Sequence, residues 1–408
     1  MLAGSADHEG ALPIAVQRSL SDNGGVTDLE RILSVWRDLK AEGADYVLAT
    51  VVAVQGPSYR KPGALMLLTA DGRRIGTISG GCLEAQVTSR AWWLTANGPT
   101  IQRYSTAEDD GDRPYGSGCG GVIFLLLERK TTAGPLLVAL ERAFALRIPL
   151  AVATVLDGAQ IGRRAFAGLK AEPPENISDE GAPDRSGRDP LGELAERSLT
   201  GNESVEAEIA VGESAARAWA VYRPARPGLA IFGAGDDAQP LLRQAKELGW
   251  FVSVADGRTH LANRARFPQA DALNILPIND LPGIALAGLQ PEDAAIVMTH
   301  SFEQDSKILA CLLAIANPPA YIGVLGPQRR TRELLGEAAR LLNLPARAIA
   351  GQTERWLADL YAPTGLDLGA ESPETIAFSI LAEIQKFHAS ATALPLREVR
   401  AAQVTIAE

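Results

Sequence analysis

Between Leu229 and Asp256 the chain carries a pattern that few folds accommodate. An apolar strand is followed by the turn Gly233-Ala234-Gly235-Asp236-Asp237-Ala238, an amphipathic helix, and a second strand that ends on an acid. In such a unit the first glycine makes the tight turn and the second lets backbone approach a phosphate. The helix N-terminus adds amides and the positive end of its dipole. Asp256, 21 residues after Gly235, stands where an acid usually bonds a ribose hydroxyl. Asp236 and Asp237 at the helix start would repel a pyrophosphate, although first-turn acids also suit the dipole, so the turn alone does not decide its ligand. Apolar strands recur at 272–276, 294–298 and 320–325, with helices at 238–248, 304–315 and 329–342. That alternation predicts a parallel sheet covered on both faces. The fold class is therefore α/β, with a C-terminal Rossmann-type doubly wound sheet and a smaller N-terminal α+β domain.

The N-terminal half has a different rhythm. Leu29, Ile32, Leu33, Trp36 and Leu39 make one apolar helical stripe behind Thr27 or Asp28 as N-cap, with Gly43 as the stop. Strands follow at 46–54, 64–69 and 74–78, a helix at 83–96, and strands at 100–104 and 122–127. A helix at 136–146 and a strand at 150–156 complete the unit. From about Lys170 to Glu206 the pattern dissolves into Pro, Ser, Gly, Asp and Glu, which reads as a flexible acidic stretch, followed by a strand at 216–222. Arg223-Pro224-Ala225-Arg226-Pro227 serves as a hinge. The expected division is a disordered leader (1–25), an N-terminal α+β domain (26–165), the acidic insertion, strand and hinge (166–226), the Rossmann-type domain (227–390) and a tail (391–408).

Charge and cysteine usage exclude several roles. A formal charge of -10 leaves no basic face for nucleic acid. No apolar run approaches the roughly 18 residues of a membrane span, and residues 1–25 lack the basic and apolar regions of a signal peptide, so a cytoplasmic protein is expected. Cys82, Cys119 and Cys311 form no CxxC pair, which argues against a disulfide framework or structural zinc.

Several short segments have chemical potential. Ser79-Gly80-Gly81-Cys82-Leu83-Glu84 turns a strand into a helix and would place the Cys82 thiol at a helix N-terminus, where its pKa falls; Glu84 would then be a first-turn dipole partner. Gly116-Ser117-Gly118-Cys119-Gly120-Gly121 leaves a second cysteine with little cover. Two such turns in one domain suggest a shared pocket, and turns built only for backbone reasons explain them equally. Cys311 falls on the apolar side of its helix and reads as core. His300 ends the 294–298 strand, with Asp305 five residues on, at the sheet edge where open parallel sheets bind ligands. Gly365-Leu366-Asp367-Leu368-Gly369 precedes a helix capped by Ser372 and Pro373.

These segments together resemble the XdhC/CoxI family of accessory proteins for molybdenum hydroxylases such as xanthine dehydrogenase. The resemblance rests on residues 56–64, 76–84, 118–121, the Gly233 turn, Met298-Thr299-His300, residues 321–326, and 365–369 through 380–384, and it spans about 28–390. It implies a chaperone that holds molybdenum cofactor (molybdopterin) while a cysteine desulfurase partner supplies its sulfido ligand, then hands it to the apo-hydroxylase. A homodimer is expected. Under this reading Gly80, Gly81, Cys82, Glu84, Cys119, Gly233, Gly235, Asp256, Arg258, His300, Asp305, Gly365 and Asp367 line the cofactor cleft between the two domains. Cys82 would act in catalysis, and Cys82 or Cys119 would be the molybdenum-proximal thiol. Two alternatives stay open: an NAD(P)-dependent oxidoreductase working through His300, and a non-catalytic interaction protein docking through its acidic stretch.

Overall fold

A computed structural model of the chain describes residues 27–81, 83–105, 121–169, 189–211, 214–276 and 289–399. Helix α1 (Asp28–Ala41) is capped by the Thr27 hydroxyl and buries Ile32, Leu33, Trp36 and Leu39. Strands β1 (Tyr46–Gln55), β2 (Leu65–Thr69) and β3 (Arg74–Gly76) lead into α2 (Glu84–Leu94), and β4 (Thr100–Ser105) and β5 (Val122–Arg129) lead into α3 (Lys130–Leu146). The strands form one antiparallel sheet in the order β3-β2-β1-β5-β4. Side chains alternate across β1, so Tyr46 and Leu48 pack beneath α1 and α3 while Val47, Ala49 and Val51 pack beneath α2. Helix α3 begins at Lys130, six positions before the expected Leu136, and carries Pro135 inside it.

Strands β6 (Leu150–Val155) and β7 (Arg164–Ala167) join α4 (Pro190–Gly201), β8 (Val205–Val211) and β9 (Ser214–Arg223) in a second antiparallel unit, ordered β7-β6-β9-β8. Part of the stretch expected to be flexible is thus a helix and a strand. Asp189 accepts from the Leu191 amide as N-cap, Pro190 takes the first turn, and Leu191, Leu194 and Ala195 bury one face. Acidic composition concealed a capped amphipathic helix. Its burial against β6 and β9 supplies the apolar contact that composition alone seemed to lack.

The last unit contains β10 (Gly228–Phe232), α5 (Ala238–Glu247), β11 (Phe251–Asp256), β12 (Ala272–Ile275), β13 (Ala294–Val297), α6 (Phe302–Ala314), β14 (Tyr321–Val324), α7 (Gln328–Leu341), α8 (Ala346–Asp359) and α9 (Pro373–His388). Its strands are parallel in the order β12-β11-β10-β13-β14, as the doubly wound expectation requires. Leu229 and Ile231 face α5 and α9, while Ala230 and Phe232 face α6, α7 and α8. The capping box of α9 pairs Ser372 with Thr375, with Pro373 at the first helical position. Helix α8 has no counterpart among the elements expected from the sequence.

The described contacts between the halves lie at the amino edge of the parallel sheet. Arg147, left-handed at the end of α3, pairs with Asp293 just before β13, both nearly buried, and its guanidinium stacks 4.5 Å from the Phe251 ring. Arg226 stacks 4.3 Å from Phe144 and donates to the Gly249 carbonyl at 2.7 Å. Thr27 abuts Gly249 so closely that a Cβ there would lie 2.3 Å from the Thr27 methyl.

Candidate functional site

The carboxyl edge of the parallel sheet gathers most of the expected residues of the C-terminal half. Gly233 follows β10 with φ of 133°, and a Cβ there would stand 2.4 Å from the Met298 carbonyl oxygen. Only glycine lets the turn pass the end of β13. Asp256 is fully buried beneath the turn. Its Oδ2 accepts from the Ala234 amide at 2.7 Å and from the Arg258 guanidinium at 2.7 Å; its Oδ1 accepts from the Arg258 amide and Nε at 2.8 and 3.0 Å. Burial alone would push this carboxyl up, but the bonds from Arg258 and Ala234 outweigh it and hold the carboxyl below its ordinary range. Asp256 therefore braces the turn and fixes Arg258, which reaches on to the Thr299 carbonyl at 3.0 Å.

Asp305 repeats this arrangement one strand away. It is fully buried, accepts from the Thr299 amide and hydroxyl at 3.1 and 2.6 Å, and receives Arg330 at 2.7 Å. The two guanidiniums remain 36% and 28% exposed above their buried carboxylates. His300, at φ of 63° and 60% exposed, bonds Asp237 at 2.8 Å across the mouth of the turn. Asp236 turns outward to Arg266 at 2.8 Å. Among the described residues no side chain caps α5, so the acids at its start leave the amide end of the helix uncovered.

The Gly365 loop rests on a separate polar network. Glu383 accepts from the Gly365 amide at 2.7 Å and from the Tyr321 hydroxyl at 2.6 Å, and the Tyr321 and Thr364 hydroxyls lie 2.7 Å apart. Burial and then the bond to Glu383 push the Tyr321 phenol upward. Asp367 and Leu368, the outer part of the loop, are exposed. Arg266 and Arg330 were not among the expected site residues, and Tyr321 and Glu383 stood only in the segments 321–326 and 380–384 that carry the resemblance, with no role given to either. Asp305 was expected at the site, but its pairing with Arg330 has no local signal in the sequence.

In the N-terminal unit Glu84 is 2% exposed. Its Oε1 accepts from the Thr77 hydroxyl and the Ile78 and Ser79 amides at 2.5, 3.1 and 2.9 Å. Its Oε2 accepts from the Ser79 hydroxyl and the Gly81 and Leu83 amides at 2.6, 2.9 and 3.1 Å. Burial pushes the carboxyl up, yet the bonds from Ser79 and Thr77 prevail and hold it at about 2. Glu84 is thus more than a first-turn dipole partner, because its carboxylate fills the nest of amides that the glycine turn creates. Tyr59 covers Gly80, where a Cβ would lie 2.9 Å from its ring, and Pro57 lies against Gly121, where a Cβ would be 2.0 Å from its carbonyl oxygen. Gly80 and Gly121 therefore both pack against residues 57–59, while Cys82 and Cys119 lie outside the described residues. Cys311 is half-buried in α6 and its thiol is pushed up by burial.

The expected cleft also takes in Cys82 and Cys119, which lie outside the described residues. The halves meet at the amino edge of the parallel sheet, and β11 alone separates that edge from Asp256 by about 16 Å. Thr27 connects the N-terminal unit to Gly249 at the start of β11, opposite the Gly233 turn.

Fold and site together define a two-part α/β protein with a Rossmann-type ligand edge of glycine turn, helix end and braced arginines. Residues 229–384 match the model of the XdhC Rossmann domain, and residues 39–105 match that of the XdhC and CoxI family. A Bacillus subtilis protein named as a probable subunit of xanthine dehydrogenase is 32% identical over 83% of this chain and 92% of its own length. The molybdenum cofactor insertion chaperone PaoD of Escherichia coli is 24% identical over 84% of this chain and 83% of its own. A crystal structure described as a xanthine dehydrogenase from Bacillus halodurans superposes with a TM-score of 0.62 at 27% identity, covering 88% of this chain and 96% of that one. The chain belongs to the XdhC and CoxI family. Among the described residues no helix is long and apolar enough to cross a membrane.

Proposed function

We propose that this protein binds molybdenum cofactor as cargo at the carboxyl edge of its parallel sheet, holds it for sulfuration, and delivers it to a molybdenum hydroxylase of the xanthine dehydrogenase type. The observation that carries this reading is the pair of arginines, Arg258 and Arg330, each fixed by a fully buried carboxylate beside an uncapped helix end. Such donors suit the phosphate of a molybdopterin, and their preorganisation removes the cost of ordering them. The name of the PaoD relative points the same way.

A nicotinamide dinucleotide fits less well. The acid that would bond its ribose, Asp256, is fully buried and already engaged by the Ala234 amide and by the Arg258 amide and guanidinium, so its oxygens are turned away from a ribose hydroxyl. The partners in this role are the apo-hydroxylase and a cysteine desulfurase, and Cys82 is the thiol assigned to the sulfuration step. In this reading the protein is a homodimer in which the cysteine-bearing turns of one protomer reach the ligand edge of the other.

The test is the molybdenum and pterin content of protein purified from cells that make the cofactor. Wild type retains both and Arg258→Ala loses most of each; absence of pterin from wild type overturns the proposal. Mixing Cys82→Ala with Arg258→Ala protein tests the shared site, because one intact composite site per mixed dimer restores hydroxylase activation that neither variant supports alone.

A further inference from the structure

The second glycine of the turn after β10 leaves a gap where any other residue would carry a side chain. In a dinucleotide-binding turn that gap is where the pyrophosphate comes up against the backbone. Here it is filled. A Cβ on Gly235 would lie 2.7 Å from Oδ1 of Asp237 and 3.9 Å from Cδ2 of His300, so the Asp237 carboxylate stands in the space that the missing side chain leaves.

The carboxylate is held in that space. Asp237 Oδ2 accepts from His300 Nε2 at 2.8 Å, and the Asp237 side chain is only 20% exposed. His300 reaches it from just beyond β13 with a left-handed backbone. The Arg258 guanidinium, pushed up first by its bond to Asp256, is pushed further by the charge of Asp237, so the carboxylate also lies in the field of that arginine. Asp236 does none of this: it is 89% exposed and pairs with Arg266 at 2.8 Å. Asp237 makes no capping bond to α5. The amides of the helix therefore stay available, and what Asp237 closes is the approach over Gly235.

We propose that Asp237, pinned by His300, sets the ligand specificity of this edge: it refuses a pyrophosphate over Gly235 and leaves Arg258 and Arg330 to a ligand that ends in a single phosphate. The penalty to a dinucleotide has two parts. Its pyrophosphate would meet a like charge at contact distance, and displacing that charge would break the bond to His300. A terminal phosphate needs only the arginines and the amides of α5. The proposal rests on the cargo reading above for the part played by the arginines, and not for the closure over Gly235.

The test is isothermal titration of the full chain with two probes: ADP-ribose, whose pyrophosphate is internal, and adenosine 5′-monophosphate, whose phosphate is terminal. Wild type is expected to bind ADP-ribose with a dissociation constant above about 1 mM, and Asp237→Ala to bind it at least about tenfold tighter. Asp237→Asn, which keeps the shape and loses the charge, and His300→Ala, which frees the carboxylate, give smaller gains. The gain for adenosine 5′-monophosphate in Asp237→Ala is about twofold or less. No gain for ADP-ribose in either Asp237 variant, with melting curves showing the variants folded, overturns the proposal. An equal gain for both probes also overturns it, because Asp237 would then act as a general field and not at Gly235. The cargo reading fails separately: wild type without pterin removes it and leaves the closure standing, whereas wild type with pterin and no gain in the variants removes the closure alone.

Discussion

Two turns in this molecule are written in almost the same way and behave in opposite ways. At residues 79–84 and at residues 233–238 a strand gives way to glycines and then to a helix, with an acid close by. In the first, Glu84 curls back into the turn and accepts from the Ile78, Ser79, Gly81 and Leu83 amides. In the second, Asp256 comes from the neighbouring strand and supports the turn from beneath, while the helix end above it stays uncapped. A carboxylate inside the nest closes it to other anions, whereas one under the nest leaves it open. The glycine pattern alone does not separate these cases; the origin of the acid does.

The sharpest way to break this contrast is to remove the resident acid. Glu84→Gln keeps the shape but loses a charge held by six hydrogen bonds, and a loss of about 3 kcal/mol is expected in urea unfolding. The same carboxylate sets an acid limit. Its folded pKa is about 2 against an ordinary 4.5, so its contribution is complete above pH 4.5 and drains away as pH falls towards 2. Glu84→Gln should flatten that part of the stability profile, and an unchanged acid limb would contradict the role given to Glu84.

Gly233→Ala meets the Met298 carbonyl at 2.4 Å in a left-handed backbone, and a loss of about 2 kcal/mol or more follows from the combined strain and clash. Asp256→Asn weakens the brace and releases Arg258, costing about 2 kcal/mol in stability. It should also reduce pterin retention, which distinguishes it from Glu84→Gln, whose effect on retention is expected to come only through unfolding. The smallest effect is that of His300→Ala. This side chain is 60% exposed and pairs with Asp237 at the surface, so stability should move by less than about 0.5 kcal/mol, while ligand association at the turn changes measurably. A large drop in melting temperature would make His300 structural instead.

Much of the parallel unit was legible because its signals are local. The strands, the Gly233 turn, the Asp256 terminus and the Ser372 cap each occupy a few adjacent residues. Arg330 with Asp305, Arg266 with Asp236, and Tyr321 with Glu383 are pairs 25, 30 and 62 residues apart, brought together only by the order of strands in the sheet. Helix α4 shows a different kind of loss. Its Asp189-Pro190 start and its Leu191, Leu194 and Ala195 stripe were present, but acidic and proline-rich flanks masked them. Sequence shows which residues end strands, not which edge of a sheet meets the neighbouring domain, so the Arg147–Asp293 joint at the amino edge had no local signal.

The joint around Arg147 and Asp293 has a mechanical consequence. Fastened at its amino edge, the parallel sheet is a lever about 16 Å long. A rotation of about 10° at this joint would carry the Gly233 turn through about 3 Å, without unfolding either half.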